Sequence, residues 1–176
     1  MTLRIDHATV IAHRAGKPVV LRDHSILIDD GVIVDVRPTA SPSQGDSQKS
    51  RGAPTETFDA SYHLVIPGLI NTHHHLYQSL TRCMKSVQNA SLFDWLGALY
   101  PKWSRLTFDA VKLASQISIA ELLLSGCTTT SDHFYLFPQN SDVRLEAVLE
   151  AAESLGIRIH ACRGAMSVGQ SSGGLP

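Results

Sequence analysis

Three consecutive histidines, His73-His74-His75, carry the strongest chemical signal in the sequence. Side chains alternate between the two faces of an extended segment, so His73 and His75 point one way and His74 points the other. Two imidazoles at this spacing, at the carboxyl end of a parallel strand, can bind one metal ion from the same side. Zinc in a catalytic site takes about three protein ligands and binds a water whose pKa falls towards about 7. A His-rich polar loop with no ligand role is the competing interpretation.

Further polar side chains follow two later segments with strand character, 127–130 and 157–162. Because parallel strands end at one common edge, Asp132, His133 and Arg163 are expected near the histidine pair. Asp132 could orient a ligand or line a pocket, and capping of the following turn is its alternative. His133 could contact substrate, whereas Arg163 could bind an anionic or carbonyl group or form a structural ion pair.

Gln78, Trp95 and Trp103 are candidates for a pocket that accepts a flat heteroaromatic ring, through an amide hydrogen bond and ring stacking. Ordinary core packing is the alternative for the two tryptophans. The sequence contains no GxSxG nucleophile motif, phosphate-binding loop or GxGxxG dinucleotide signature. Its chemistry therefore depends on the histidines.

Composition narrows the class of protein. The chain has 176 residues, 43% of them hydrophobic, and a formal net charge of −1. These values predict a folded domain of ordinary size, without the excess of basic residues that nucleic-acid binding requires. The apolar runs predict no membrane-spanning or signal segment. Three widely spaced cysteines argue against a disulfide framework. We therefore expect a soluble, cytoplasmic protein.

The N-terminal region reads as β structure followed by a linker. Short apolar or alternating runs predict strands at 3–5, 8–12, 25–28 and 32–36. Asp30-Gly31 between the last two is a turn pair that tolerates the positive φ angles of a tight hairpin. Residues 38–55 are rich in Pro, Ser, Thr, Gly and Gln, which predicts a flexible linker.

The remaining sequence alternates strands and helices, which is typical of parallel βαβ units. A buried strand is predicted at 62–66, before the Pro67-Gly68 break, and Pro101 is expected to interrupt the segment between the two tryptophans. Thr107 and Asp142 are the expected N-caps of two helices that end at glycines. The predicted buried face of the first helix consists of Leu113, Ile117, Ala120 and Leu124, and that of the second consists of Leu145, Val148, Leu149, Ala152 and Leu155.

The motifs together resemble one superfamily. VIPGLINTHHH, ending at His75, resembles the first barrel strand of the metal-dependent amidohydrolases, and IDDGVIVDV resembles the small β-sandwich that precedes their barrel. THHHLYQSLTR, LFDWL and AELLLSGCTTTSDHFYLFP are most similar to the aminohydrolase (deaminase) branch, which acts on guanine, S-adenosylhomocysteine and hydroxyatrazine-type rings. Within that branch the 8-oxoguanine deaminases are the most similar.

The resemblance implies an α/β fold: the N-terminal part of a (β/α)8 TIM barrel at 61–176, with about three βα units, preceded by an incomplete β-sandwich at 1–60. It implies one zinc ion, with iron as an alternative, held first by His73 and His75. It also implies hydrolytic deamination of a purine-like ring of the 8-oxoguanine or guanine type by metal-bound hydroxide. Gln78 would read the polar edge of the ring, and Asp132 and His133 would line the pocket.

Length sets a further expectation. A TIM barrel takes about 250 residues, so we expect an N-terminal fragment whose remaining metal ligands and catalytic acid or base lie on strands beyond Pro176. The chain by itself should then be inactive, and the complete enzyme could form a homo-oligomer. The alternative is a truncated, non-catalytic chain that acts, if at all, as an interaction module.

Overall fold

The computed structural model describes residues 1–40 and 56–173. The chain divides into two compact units, Met1–Pro67 and Gly68–Pro176. The first unit contains one mixed sheet, and the second contains a parallel sheet with helices. No helix in the described part of the chain is long and apolar enough to span a bilayer.

The first unit is a five-stranded sheet with the order β3-β2-β1-β4, in which β5 also pairs with β1. Pairing of β1 with β2 and of β2 with β3 is antiparallel, and pairing of β1 with β4 and β5 is parallel. Its strands are β1 (Thr2–Arg14), β2 (Lys17–Asp29), β3 (Val32–Pro38), β4 (Glu56–Asp59) and β5 (Leu64–Val65).

The predicted hairpin is confirmed, because Asp30 and Gly31 join β2 to β3 with φ angles of 49° and 77°. Two positive φ angles in succession are the signature of a turn that matches strand twist. The strands predicted at 3–5 and 8–12 form one continuous strand. His7, with a φ of 60°, lies in a register shift between Ile5 and Ala8. This bulge interrupts the alternation of apolar residues without ending β1.

The predicted buried strand at 62–66 is wrong in extent and in burial. Only Leu64–Val65 is a strand, and it pairs with Thr9 and Val10 of β1 in the first unit. Tyr62 is 99% exposed, because this short stretch lies on the edge of the sheet and has one side open. Residues 41–55, most of the predicted linker, lie outside the described residues.

The second unit has the α/β character that the sequence predicts. Its sheet has the order β6-β7-β8 with parallel pairing throughout, and helices occupy both crossovers. The elements are β6 (Leu69–Asn71), α1 (Leu92–Trp103), α2 (Phe108–Leu124), β7 (Cys127–Phe134), α3 (Glu146–Leu155) and β8 (Arg158–Arg163), with 3-10 turns at Leu76–Thr81, Lys85–Val87 and Gln170–Ser172.

Two expectations about helix ends differ from the structure. Pro101 lies inside α1, where it removes only one backbone donor close to the end of the helix. Asp142 does not cap α3, whose N-cap residue is Leu145 and makes no side-chain capping bond. The Asp142 carboxylate instead accepts the backbone N–H of Phe108 at 3.0 Å. Asp142 therefore assists the N-cap of α2, where Thr107 accepts the Ala110 N–H as predicted.

The predicted buried face of α2 is also wrong. Leu113 is 53% exposed and Leu124 is 90% exposed, while the buried side carries Val111, Ala114, Ser115, Ser118 and Ile119. Apolar residues lie on both sides of this helix, so their periodicity does not show which side is buried. In α3 the prediction holds for Val148 and Ala152, which are buried.

The core of the second unit lies between the sheet and the helices. Its largest fully buried hydrophobic side chains come from α1, α2, β7 and the segments next to the sheet: Trp103, Tyr77, Phe134, Leu76, Leu99, Ile119, Leu136 and Val111. Leu76 and Tyr77 directly follow the three histidines. The backbone that carries the histidines is therefore anchored in the core by the residues immediately after it.

Candidate metal centre

The three histidines lie just beyond the carboxyl end of β6. The strand ends at Asn71, and the first 3-10 turn begins at Leu76. Gly68, which precedes the strand, packs against β7 so closely that an added Cβ would lie 2.9 Å from the Cβ of Thr128. The absence of a side chain at Gly68 therefore lets β6 approach β7.

The imidazole rings of His73 and His75 lie side by side, with centroids 5.1 Å apart. The ring of His133, at the end of β7, is 4.6 Å from that of His73 and 5.9 Å from that of His75. His74 lies in the wall of the same cavity as His73 and His75, beside Ser118 and Glu121 of α2. The opposite direction of the His74 side chain, expected from alternation, stays a prediction.

A backbone contact orients the ring of His75. Its Nδ1 lies 2.7 Å from the carbonyl oxygen of His133, so Nδ1 carries the hydrogen and Nε2 keeps its lone pair. Burial lowers the pKa of His75 below its ordinary value. Near neutral pH this side chain is therefore an uncharged imidazole with one free nitrogen.

The donor set fits an ion that prefers imidazole, such as zinc. Histidine bound to zinc commonly donates its other ring N–H to a carbonyl or carboxylate, and His75 has that arrangement with His133. Across residues 1–40 and 56–173, no group of three His, Cys, Asp or Glu side chains is arranged to hold a metal ion. His73 and His75 would supply two of the roughly three protein ligands that catalytic zinc takes.

Asp132 is absent from the walls of the cavities described here, and its predicted role in orienting a ligand or lining a pocket stays a prediction. It is fully buried, and its Oδ1 accepts the backbone N–H of Leu76 at 2.8 Å. Side chains alternate along β7, so Asp132 points to the buried side of the sheet while His133 points to the other. Burial raises the pKa of Asp132 from 3.8 to about 6, although the Leu76 N–H opposes the shift.

Gln78 lies in the wall of two cavities. One, of about 290 Å³, includes the three histidines, and the other, of about 350 Å³, includes Trp95. The Gln78 amide donates to the hydroxyl of Tyr77 at 3.4 Å. Trp103, in contrast, is fully buried and donates its ring N–H to Thr81. Trp103 therefore has the core role that was the alternative for both tryptophans.

A third cavity, of about 350 Å³, lies beyond the ends of β7 and β8, with Arg163 and Tyr135 in its wall. The Arg163 guanidinium lies 4.5 Å from the centre of the Phe137 ring and donates to the carbonyl of Gly164. It forms none of the ion pairs found among the described residues. The cavity thus has one cation in its wall.

Tyr135 was missed from the sequence. Its ring is 6.0 Å from that of His75, and burial raises the pKa of its hydroxyl. Near neutral pH the phenol therefore keeps its proton and can donate a hydrogen bond. The signal that could have found it is its spacing, because Tyr135 follows His133 by two residues and continues the same side of the chain.

The chain is similar to a family of known proteins. Residues 64–173 match the amidohydrolase family. An 8-oxoguanine deaminase from Pseudomonas aeruginosa is 46% identical over 151 residues, which cover 86% of this chain and 32% of that protein. An isoxanthopterin deaminase from an unknown prokaryotic organism is 39% identical over 128 residues, covering 68% of this chain and 26% of that protein. The chain thus spans about a third of the length of the curated relatives it matches.

Solved structures give the same match in three dimensions. The atrazine chlorohydrolase of Arthrobacter aurescens TC1, crystallised with zinc, superimposes with a TM-score of 0.81 at 31% identity, covering 99% of this chain and 38% of that one. An adenosine deaminase from Xanthomonas campestris with bound zinc gives a TM-score of 0.67 at 26% identity, covering 89% of this chain and 32% of that one.

Proposed function

The chain belongs to the amidohydrolase family, and from this premise we propose that it supplies the first two metal ligands of an aminohydrolase, namely His73 and His75. The observation that carries the proposal is the pair of adjacent rings, one of which is held with its Nε2 free by the His133 carbonyl. Zinc fits this donor set, and iron would also accept imidazole ligands. When bound, the ion would activate water for attack on the substrate.

We propose hydrolytic deamination of a purine-like ring of the 8-oxoguanine or guanine type. The similarity to an 8-oxoguanine deaminase and to an isoxanthopterin deaminase supports this substrate class. In this proposal the second unit forms the first three βα units of a (β/α)8 barrel, and the first unit forms part of a β-sandwich. Because no group of three ligating side chains is arranged to hold a metal ion among the described residues, activity in this proposal requires donors from further polypeptide.

The roles of the side chains follow from where they lie. Gln78 offers an amide donor and acceptor in the wall of the cavity that contains the histidines, so it can bind the polar edge of a fused ring. His133 lies against His73 and can contact a ring held next to the metal pair. Arg163 presents a cation to the third cavity, where it can bind a ring carbonyl.

A chimera tests the proposal. The matching third of the Pseudomonas aeruginosa 8-oxoguanine deaminase is replaced by this chain, and zinc content and ammonia release from 8-oxoguanine, guanine and isoxanthopterin are measured. We expect zinc binding and deamination of at least one ring. His73→Ala should remove both, since it deletes a ligand. The matched control is His74→Ala, which removes the middle imidazole; alternation predicts that this side chain points away from the pair, so zinc content should be unchanged.

Two results would contradict the proposal. One is a zinc-loaded chimera that releases no ammonia from any of these rings, which would remove the substrate class. The other is equal loss of zinc in the His73→Ala and His74→Ala chimeras, which would show that the adjacent pair has no special role.

A further inference from the structure

The segment that carries the histidines is held by four hydrogen bonds from two other elements. Two come from the backbone of His133, one from the side chain of Asp132 and one from Ser118 of α2. They are His133 N–H to His74 O at 2.8 Å, His75 Nδ1–H to His133 O at 2.7 Å, Leu76 N–H to Asp132 Oδ1 at 2.8 Å, and Ser118 Oγ–H to Leu76 O at 3.1 Å.

We propose that Asp132 is a positioning residue for the metal pair: its buried carboxylate fixes the backbone at Leu76 and thereby directs the free Nε2 of His75. The inference rests on the proposed metal-binding role of His73 and His75. It assigns to Asp132 a role different from contact with the substrate.

The geometry explains how a contact at Leu76 acts on His75. The Leu76 N–H belongs to the same planar peptide group as the His75 carbonyl. Holding that N–H therefore fixes the ψ angle of His75, and the position from which its side chain projects. The His133 carbonyl then fixes the ring about its own bonds. Two consecutive residues of β7 thus control the backbone and the ring of one ligand.

The choice of a carboxylate also favours a positioning role. Asp132 is fully buried, and its Oδ2 has no hydrogen-bond partner among the described residues. A buried carboxylate with one unpaired oxygen lowers the stability of the folded state, because the charge loses its hydration. A charged acceptor does, however, make a stronger and more directional bond to an N–H than a neutral one. Asp132 therefore favours a well-defined position for Leu76 at some cost in stability.

The experiment compares Asp132→Leu, which removes the acceptor at similar volume, with Asp132→Asn, which keeps an oxygen for the Leu76 N–H. The matched control is Thr130→Val, because Thr130 is buried on the same side of β7 and its hydroxyl donates to the Ser131 carbonyl within the same strand. Each full-length chain is titrated with Co²⁺, which substitutes for zinc and gives a visible absorption band. The protonation of the two His75 ring nitrogens is read by ¹⁵N NMR without metal.

We expect Asp132→Leu to weaken Co²⁺ binding by about 10- to 100-fold, the usual range when a group that orients a metal ligand is lost. Thr130→Val should remain within about twofold of the wild type, and Asp132→Asn should fall between the wild type and Asp132→Leu, because a neutral oxygen keeps the bond to Leu76 in a weaker form. The NMR spectrum should show His75 protonated at Nδ1 in the wild type and in Asp132→Asn, and a mixture of tautomers in Asp132→Leu.

Unchanged cobalt affinity and tautomer in a folded Asp132→Leu chain would overturn the inference, and so would an equal effect of Thr130→Val. If Asp132→Leu does not fold, Ser118→Ala replaces it. That variant loses the bond to the Leu76 carbonyl and should weaken Co²⁺ binding by about fivefold, more than Thr130→Val does, so an effect no larger than that control's would count against the positioning role. If the wild-type chain by itself binds no Co²⁺, its own donors do not hold the ion without further ligands; the chimera then tests the proposed function, and the tautomer comparison alone decides the inference.

Discussion

Replacing Asp132 with asparagine should change how the stability of the protein depends on pH. Burial raises the pKa of Asp132 to about 6, so the folded chain holds this proton more tightly than the unfolded chain does. The stabilising contribution of the protonated form is fully present below about pH 4 and is lost as the pH rises through about 6. Asparagine cannot ionise, and it keeps an oxygen for the Leu76 N–H.

The size of the effect follows from the two pKa values, the ordinary 3.8 and the folded value of about 6. At about 1.4 kcal/mol for each pKa unit, ionised Asp132 lowers the free energy of unfolding by about 3 kcal/mol. Most of that difference develops between about pH 4 and pH 6, the interval between the two pKa values. Asp132→Asn should therefore be the more stable protein at neutral pH, and its advantage should almost vanish at about pH 4.

Urea denaturation of the metal-free chains from about pH 4 to pH 8 measures the difference, with tryptophan fluorescence as the signal. Trp95 and Trp103 both belong to the unit that contains Asp132, so the fluorescence reports the relevant unfolding step. Thr130→Val is the control, because it alters a buried side chain of the same strand without adding or removing a titrating group. Its effect on the free energy of unfolding should be the same at every pH.

The reasoning would be refuted if Asp132→Asn and the wild type differ by a constant amount across this pH range. It would also be refuted if asparagine lowers stability at pH 8 more than at pH 4. Either result would mean that the folded protein solvates the carboxylate well, contrary to its complete burial.

Three other substitutions test the packing around the site. Trp103→Ala should lower the free energy of unfolding by about 3–5 kcal/mol in urea titrations, since it empties a fully buried position. Gly68→Ala should cost about 1–3 kcal/mol by crowding Thr128, and a stability equal to the wild type would show that β6 and β7 are less closely packed. Glu121→Gln should lower the urea midpoint at pH 7 but not at about pH 3, because its ion pair with Arg82 lowers the pKa of Glu121.

Local signals in the sequence predicted local structure well. Asp30-Gly31 predicted a hairpin because both residues tolerate positive φ, and Thr107 predicted the start of α2 because its hydroxyl reaches the Ala110 N–H. In each case the residue and the backbone group that it serves are neighbours in sequence. The candidate ligands His73 and His75 were also visible, since alternation depends only on adjacent residues.

Features that depend on distant parts of the chain were not predictable in this way. Asp142 was assigned to the helix that follows it, yet it bonds to Phe108, 34 residues earlier. Asp132 was expected to orient a ligand, line a pocket or cap the following turn, and no local signal indicated its bond to Leu76, 56 residues earlier. The local sequence around a carboxylate, before a helix or at the end of a strand, does not identify its hydrogen-bond partner. Only the packing of α2 and β7 against the earlier segment determines which backbone N–H each one meets.

If His73 and His75 bind a metal ion as proposed, the two sides of β7 explain how these donors are oriented for it. His133 on one side orients the ring of His75 through its carbonyl, and Asp132 on the other side holds the backbone beneath that ring. A ligand that is already oriented loses less conformational freedom when the ion binds, so affinity is higher than for two mobile histidines. Further donors would then complete a site whose first part is already ordered, which is why positioning by β7 matters even before the rest of the metal centre is present.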